Sequence, residues 1–555
     1  GKKIGYNVRF DNMSDKETKI KFVTDGIFFQ ELIQNPSFTE TPCFIIDEFH
    51  ERTIYTDLIL GIIKKIAQFR KNIKIILMSA SGDSDKMARF FQKGIGKIKI
   101  PGKLFKTLIY YTKFSQKDFI SSICSTIVSL HSCEKTPGNI LVFLPGQEEI
   151  EEVFLLTNFI LQKTSKNFQV VKLYASLHPK EQTLAFNFQP KGVRKIILAT
   201  NIAESSVTIP GTRIVIDCGL SKQKISNWKT GIHLLKTFPI SKSQAIQRAG
   251  RSSREEIGKC FRLYEISEYK KLSTFPKPEI QKVEISSVLL QLFCYNSKNI
   301  IEIDLVDWPS QWELKRSLEL LFAIGALDYH LKITQIGKLI SVFPLDVKLS
   351  RCIIEALKDG DPLLVNWMLV SSSVLSMDFN SKIENALKKF RKIRFEKSEK
   401  KSDHFFLASW FFDFFKSNDV KRFDNTDGIL PPYQGFWDFT KNIQLHLKKI
   451  SEAILPFFKN NPFCSLYNLP FFSKFCFCFT SGFFLNVARI KKNNQKFYCL
   501  SSGVVAEVHS SSIFKKNLPN LIIFHEIFIS QKIFVREITP VLFSWLIFFG
   551  KRIFI

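Results

Sequence analysis

The pair Asp47-Glu48 follows the apolar run Cys43-Phe44-Ile45-Ile46 and precedes Phe49-His50. An aspartate at the end of a buried strand can hold a magnesium ion bound to phosphates, and a neighbouring glutamate can orient or deprotonate an attacking water. For an isolated pair, two acids capping the next helix is an equally open reading. Ser79-Ala80-Ser81 follows a second such run, Ile75 to Met78, and says less alone, because small hydroxyl residues commonly cap helices. Gln247-Arg248-Ala249-Gly250-Arg251-Ser252-Ser253-Arg254 is more telling. On a helix, Arg248, Arg251 and Arg254 would crowd one face. Guanidinium groups so placed repel one another unless an anion meets them, and their forks suit phosphate oxygens. The bland alternative is a solvated basic face, partly offset by Glu255 and Glu256.

Such clusters need a scaffold that delivers polar residues from strand ends. The first half alternates short apolar runs with amphipathic stretches, the rhythm of a parallel α/β sheet, whose ligands bind outside the carboxyl ends of the strands. Ile140 to Leu144 leads into Pro145-Gly146-Gln147, and Ile196 to Ala199 leads into Thr200-Asn201-Ile202-Ala203-Glu204. The length of 555 residues predicts three to five domains. Lysine and arginine number 79 against 51 acids, a net charge of +28 that favours a polyanionic partner, either nucleic acid or an anionic membrane surface. With 45% hydrophobic and 23% charged residues the chain is not a disordered basic tail. The 56 phenylalanines, with abundant Lys, Ile and Asn, read as drift in an AT-rich genome, which discounts part of the charge.

No stretch reaches the roughly 20 apolar residues of a membrane span, and Pro540 to Gly550 is too short, so no membrane partner is expected. The 11 cysteines lack a C-x-x-C pair and read as reduced structural thiols. Cys476 and Cys478 lie in a Phe-rich run that reads as a buried strand. Gly1 to Phe10 lacks the apolar core of a signal peptide, and the chain reads as cut at its front.

Taken in order, D-E-F-H, S-A-S, F-L-P-G-Q-E-E-I, T-N-I-A-E-S-S-V-T-I-P-G and Q-R-A-G-R-S-S-R make a set that resembles the DEAH-box RNA helicases of superfamily 2. Gly5 to Asn12, Thr24-Asp25-Gly26 and Gly258 to Tyr264 extend the resemblance. It implies an α/β chain with two RecA-like parallel-sheet domains, the first incomplete (residues 1–112) and the second at 113–270. A winged-helix domain (271–345), a helical ratchet domain (346–455) and an OB-fold domain (456–555) follow. The last three rest on Phe275 to Ile280, the periodic face Ile285, Val288, Leu289 and Leu292, Thr334 to Gly337, Phe343 to Asp346, Ser481 to Phe484, Val508 to Ser512 and Phe524 to Glu526. The charged run Arg394 to Asp403 reads as a loop within the ratchet segment.

The resemblance further implies ATP and Mg²⁺ as cofactors. Asp47 and Glu48 would serve the metal, through water, and the attacking water; His50 would couple the nucleotide site to the second domain. Gln247 would help place the water, and Arg251 and Arg254 would act as arginine fingers. Ser79 and Ser81 would link hydrolysis to domain movement, and Phe186 would lie over the adenine. Thr24, Asp25, Gly26, Gly146, Thr200 and Asn201 would lie near the RNA backbone, where contacts grip phosphate without reading sequence. Ile225 to Thr237 matches a β-hairpin thought to part strands. The expected activity is ATP-driven translocation on single-stranded RNA and remodelling of RNA–protein complexes in the nucleus, in pre-mRNA splicing first and ribosome biogenesis second. Spliceosomal or pre-ribosomal proteins and a G-patch type activator are the expected partners.

Four departures from the family pattern stand out. No G-x-x-x-x-G-K-[ST] loop occurs in the sequence, so the chain by itself is expected not to hydrolyse ATP. Phe49 replaces the usual Ala, putting a large ring beside the carboxylates; Pro210 replaces an Asp expected at the ribose; and Ser253 replaces a Gly. A catalytically degenerate RNA-binding scaffold is therefore the alternative to a working helicase.

Overall fold

The structure is a computed structural model. It describes residues 3–554 except 9–10, 36–40, 71, 81–83, 92–94, 103–104, 115–117, 134–137, 165–166, 176, 178, 189–191, 205–206, 228–231, 296–303, 378–401, 417–433, 460–468, 492–495, 515–517 and 530–531. The amino-terminal part carries β1 (Ile4–Val8), β2 (Asp11–Asn12), β3 (Ile20–Val23), α1 (Asp25–Gln34), β4 (Cys43–Ile46), α2 (Ile54–Phe69), β5 (Lys74–Leu77) and α3 (Ser84–Phe91). β4 and β5 run parallel and in register from Cys43 opposite Lys74 to Ile46 opposite Leu77. Their carboxyl ends therefore deliver Asp47 and Ser79 side by side.

The second unit is a complete doubly covered sheet. It comprises β6 (Thr107–Tyr111), α4 (Phe119–Cys133), β7 (Asn139–Phe143), α5 (Gln147–Thr164), β8 (Phe168–Leu173), α6 (Pro179–Phe186), β9 (Arg194–Ala199) and β10 (Thr212–Asp217). The hairpin β11 (Leu220–Asn227) and β12 (Ile232–Pro239), then α7 (Lys242–Gly250), β13 (Gly258–Arg262) and α8 (Ile266–Lys271), complete it. The six strands pair in parallel in the order β6-β13-β10-β7-β9-β8. Because β6 pairs with β13, a domain boundary drawn after residue 112 falls too late: the second sheet already holds Thr107 to Tyr111. The central strands are apolar without alternation, as burial on both faces requires: Ile140 to Phe143 and Ile196 to Ala199 are wholly buried.

Helices α9 (Ser286–Tyr295), α10 (Gln311–Ala323) and α11 (Gln335–Val342) form the winged-helix region. The helices α12 (Val347–Asp359), α13 (Pro362–Leu375), α14 (Asp403–Lys416), α15 (Gln434–Lys459) and α16 (Phe471–Phe483) come next. Caps fix their starts: Thr334 accepts the Gly337 N–H at 3.0 Å, and Asp346 accepts the Lys348 N–H at 2.8 Å. A closed barrel, β14 (Val487–Lys491), β15 (Lys496–Cys499), β16 (Val505–Val508), β18 (Ile533–Pro540) and β17 (Leu521–Ile529) in spatial order, precedes the last helix, α17 (Phe543–Phe554).

Two further sequence expectations fail here. Cys476 and Cys478 lie on helix α16, not on a strand; every residue from Phe475 to Phe483 is buried, so no polar face betrays the helical period. The charged run does not remain a loop to its end, because Asp403 opens α14 and is fully buried; Arg394 to Lys401 lie outside the described residues. Ten cysteines among the described residues are free thiols. No described helix is long and apolar enough to cross a membrane.

One apolar core runs from the first unit (Phe29, Ile46, Phe49, Leu58) through the winged-helix region (Leu289, Leu321) into the helical region (Ile353, Phe475). The second sheet has its own cores, one on each face, and the barrel has another.

Candidate nucleotide site and RNA cavity

The turn after β4 is forced into an unusual shape. Glu48 adopts φ 48° and Arg52 φ 52°, the left-handed region that costs a non-glycine residue roughly 1 kcal/mol or more. Asp47 Oδ1 accepts the Glu48 N–H at 2.8 Å, which fixes the first carboxylate at the strand end. The Phe49 N–H donates to Met78 C=O at 3.2 Å, tying this turn to the end of β5. The Phe49 ring is 3% exposed and joins the apolar core, so the expectation of a ring crowding the carboxylates is wrong. A short helical turn over Phe49–Glu51 sends that side chain inward while its neighbours face the cleft.

His50 bridges the two α/β units. Its Nε2 lies 2.6 Å from Gln247 Nε2 on α7, and its Nδ1 lies 3.3 Å from Glu48 Oε2. An amide N–H donating to Nε2 leaves the ring proton on Nδ1, facing the carboxylate. Glu48, His50 and Gln247 thus form a line from the first unit into the second.

The arginines divide differently from the expectation of one helical face. Helix α7 ends at Gly250, so Arg251 and Arg254 leave the helix. Arg248 is fully buried, with Nε on Glu204 Oε2 at 3.0 Å and Nη1 on Asp217 Oδ1 at 2.8 Å. Burial alone would lower its pKa, but Asp217 and then Glu204 outweigh it and hold the charge. It braces the second unit and does not face a phosphate. Arg251 Nε donates to Glu204 C=O at 3.0 Å, and its Nη1 donates to Val207 C=O. Arg254 donates to the Thr208 hydroxyl. Burial lowers the pKa of both, and the Glu48 carboxylate acts against it in both. Both guanidinium groups therefore sense the first unit's glutamate across the cleft.

Of the remaining expected residues, Ser79 sits at the end of β5 beside this cleft, and Ser81 lies outside the described residues. Phe186 ends α6 and packs, half-buried, on the core of the second sheet. Lys195, buried on β9, holds that helix end by donating to Leu184 C=O at 2.9 Å and Ala185 C=O at 3.3 Å. Ser253 is buried and accepts the Thr107 hydroxyl at 2.7 Å, so the substitution for Gly adds a bond to β6. The Pro210 carbonyl accepts from Asn139 Nδ2 at 2.9 Å.

A cavity of about 840 Å³ lies between the first unit, the helical regions and the barrel. Thr24 and Gly26 line it, with Lys224 of the hairpin, Arg316 of α10, Lys348 of α12 and His525 of β17. Asp25 instead anchors the start of α2, its Oδ2 accepting the Thr53 and Thr56 hydroxyls at 2.8 and 2.7 Å. Gly146, Thr200 and Asn201 sit together at the ends of the adjacent strands β7 and β9 but are not in this cavity wall. At Gly146 an added Cβ would stand 2.7 Å from Lys222 Cδ. Strand β11 begins at Leu220, earlier than the expected hairpin, and so includes Lys224. Arg316 and Lys348 belong to no motif: each lies on an amphipathic helix among other basic residues, so spacing does not mark it.

Comparison with known proteins agrees with this arrangement. Residues 120–256 match the helicase conserved C-terminal domain, residues 317–345 the winged-helix helicase associated domain (HA2), and residues 476–553 the oligonucleotide/oligosaccharide-binding (OB) fold. The chain is 31% identical to the probable ATP-dependent RNA helicase DHX35 homolog of Caenorhabditis elegans, over 98% of this chain and 75% of that protein. It is 31% identical to human probable ATP-dependent RNA helicase DHX35, over 99% and 78%. The crystal structure of the Escherichia coli DExH-box NTPase HrpB superposes with a TM-score of 0.75 at 22% identity, over 98% of this chain and 60% of that one, a likeness of fold. With the ordered motifs, the acid-bearing strand end and the near full-length match, the chain belongs to the DEAH-box RNA helicase family of superfamily 2.

Proposed function

We propose that the protein is an ATP-dependent RNA helicase that moves along single-stranded RNA and remodels RNA–protein complexes, acting in the nucleus in pre-mRNA splicing. The observation that carries the ATP-hydrolysing part of this reading is the Glu48–His50–Gln247 line, which joins a carboxylate of one unit to the helix of the other that leads into Arg251 and Arg254. Asp47 suits a magnesium ion held jointly with phosphates: one of its oxygens is taken by the Glu48 N–H and the other is left for the metal or its waters. When bound, Mg²⁺ neutralises charge on the phosphates. Glu48 orients water, Gln247 and His50 hold the two units in register, and Arg251 and Arg254 offset charge developing on the transferred phosphoryl. RNA lies in the cavity and is held through its backbone, so partners set the target. Such partners include spliceosomal proteins and a G-patch type activator; pre-ribosomal complexes are the second setting.

The test is Glu48→Gln, in a chain that carries a G-x-x-x-x-G-K-[ST] loop ahead of Gly1. ATP turnover should fall by about 10³-fold or more while RNA affinity stays within about twofold. Unchanged turnover would contradict the role given to Glu48. A parent chain that binds RNA without turnover would favour the scaffold reading.

A further inference from the structure

Immediately after the Asp47–His50 segment the chain is gripped from outside its own unit. The buried Arg52 guanidinium places Nε and Nη2 on the two oxygens of Asp57 at 2.6 and 3.0 Å, and Nη2 also on Asp307 Oδ2 at 2.5 Å. Asp307 lies just before α10, and the same oxygen accepts Lys86 Nζ at 2.5 Å. Lys86 is on α3, the helix that follows Ser79. Main-chain bonds run alongside: Arg52 C=O accepts the Glu279 N–H at 3.1 Å, and Glu279 Oε2 accepts the Ile54 N–H at 3.0 Å.

The connectivity at each end gives these bonds their meaning. Glu279 and Asp307 stand before α9 and α10, which place Ser287, Gln291 and Arg316 in the cavity wall. Arg52 and Lys86 follow the two strand ends that carry Asp47 and Ser79. Arg52 is already matched by a bidentate carboxylate, Asp57, and Asp307 is already matched by Lys86. Charge neutrality therefore does not require the Arg52–Asp307 bond; it adds a mechanical link between parts that would be satisfied separately. Burial would raise the Asp307 pKa, but the hydrogen bonds from Lys86 and Arg52 outweigh it and hold the carboxylate ionised.

We propose that Asp307, gripping Arg52 and Lys86 together, is a positioning residue through which RNA in the cavity sets the conformation of both catalytic strand ends. This rests on the reading of the cavity as the RNA site. An ion pair serving stability alone would not respond to RNA.

Amide hydrogen exchange over residues 47–57 of the full chain, with and without saturating oligouridylate, tests the joint without requiring ATP turnover. In the wild type, RNA should slow exchange there by about fivefold or more, the low end of coupling between sites. Asp307→Asn should reduce that response to less than about twofold while the RNA Kd stays within about twofold, and Asp307→Glu should restore part of it. Lys86→Ala leaves the Arg52–Asp57 pair intact and should weaken the response by about half, which provides the reading if Asp307→Asn does not fold. Failure of RNA to bind the wild type overturns the RNA reading and the joint with it. RNA that binds without altering exchange at 47–57, or a full response in Asp307→Asn or Lys86→Ala, overturns the joint alone.

Discussion

Residue spacing places Asp47, Glu48 and His50 together because all three follow one strand end, where the proposed hydrolytic chemistry would need fixed neighbours. Asp47, Glu48 and His50 emerge from β4 as expected, and Gln247 meets His50 at 2.6 Å. Arg248 misled for a physical reason: a spacing of three implies one face only while the helix lasts, and α7 stops at Gly250. Phe49 gives the sharpest residue-scale expectation. Replacing it by the Ala usual in the family looks like a repair, yet the ring is 3% exposed within the core. Phe49→Ala should therefore destabilise the protein by about 3–4 kcal/mol, the usual cost of deleting a buried phenylalanine. Denaturant melts would show it, and a change below about 1 kcal/mol would mean that the ring is not a packing element.

Short all-apolar runs were legible as buried strands, and helices were legible where one face stays polar but not where none does. The alternation of strands and helices in the second unit gave the parallel sheet, whereas the all-buried α16 hid its period. The docking of α14 on the barrel was also unreadable, since Ser402, Asp403 and His404 sit at the end of a charged run. In the structure His404 is fully buried, with Nδ1 at 2.7 Å from the Thr539 hydroxyl of β18. Burial, and then the nearby His525, hold its pKa well below the ordinary imidazole range. The native ring thus stays neutral at pH values where the unfolded chain takes up a proton. Its contribution to stability is complete above about pH 6.5 and declines by about 1.4 kcal/mol per pH unit below that, until the folded pKa is reached. His404→Asn should flatten the fall in stability between about pH 6.5 and 5 relative to wild type. Parallel profiles of the two proteins would exclude His404 as the titrating group.

For the whole molecule, the arrangement of cores indicates what moves. The first unit, winged-helix region and helical region share one core, while the second sheet has cores of its own and meets the rest through contacts such as Gln247 on His50 and the hairpin strand β12 against β17 of the barrel. On the proposed helicase reading, separate cores would let the second sheet, with Gln247 and the arginines, shift as a body against the rest. The net charge of +28 could not reveal this, because lysines spread by composition look the same as lysines in a channel. The cavity separates them. If Lys224 and Arg316 meet phosphates there, each alanine substitution should lower the slope of log affinity against log salt by about 0.7, without changing preference among RNA sequences. Equal slopes for wild type and both variants would place the RNA elsewhere.

The buried Asp403 bears on how this polypeptide can be divided. Its carboxylate accepts the Ser512 hydroxyl at 2.7 Å, the Ile513 N–H at 2.8 Å and the Ile538 N–H at 2.9 Å, all from the barrel. A gene fragment or proteolytic cut that released the barrel without α14 would strip the partner from those three donors at once. A barrel cut away from the chain thus leaves behind a partner on a helix that begins more than a hundred residues before Ser512.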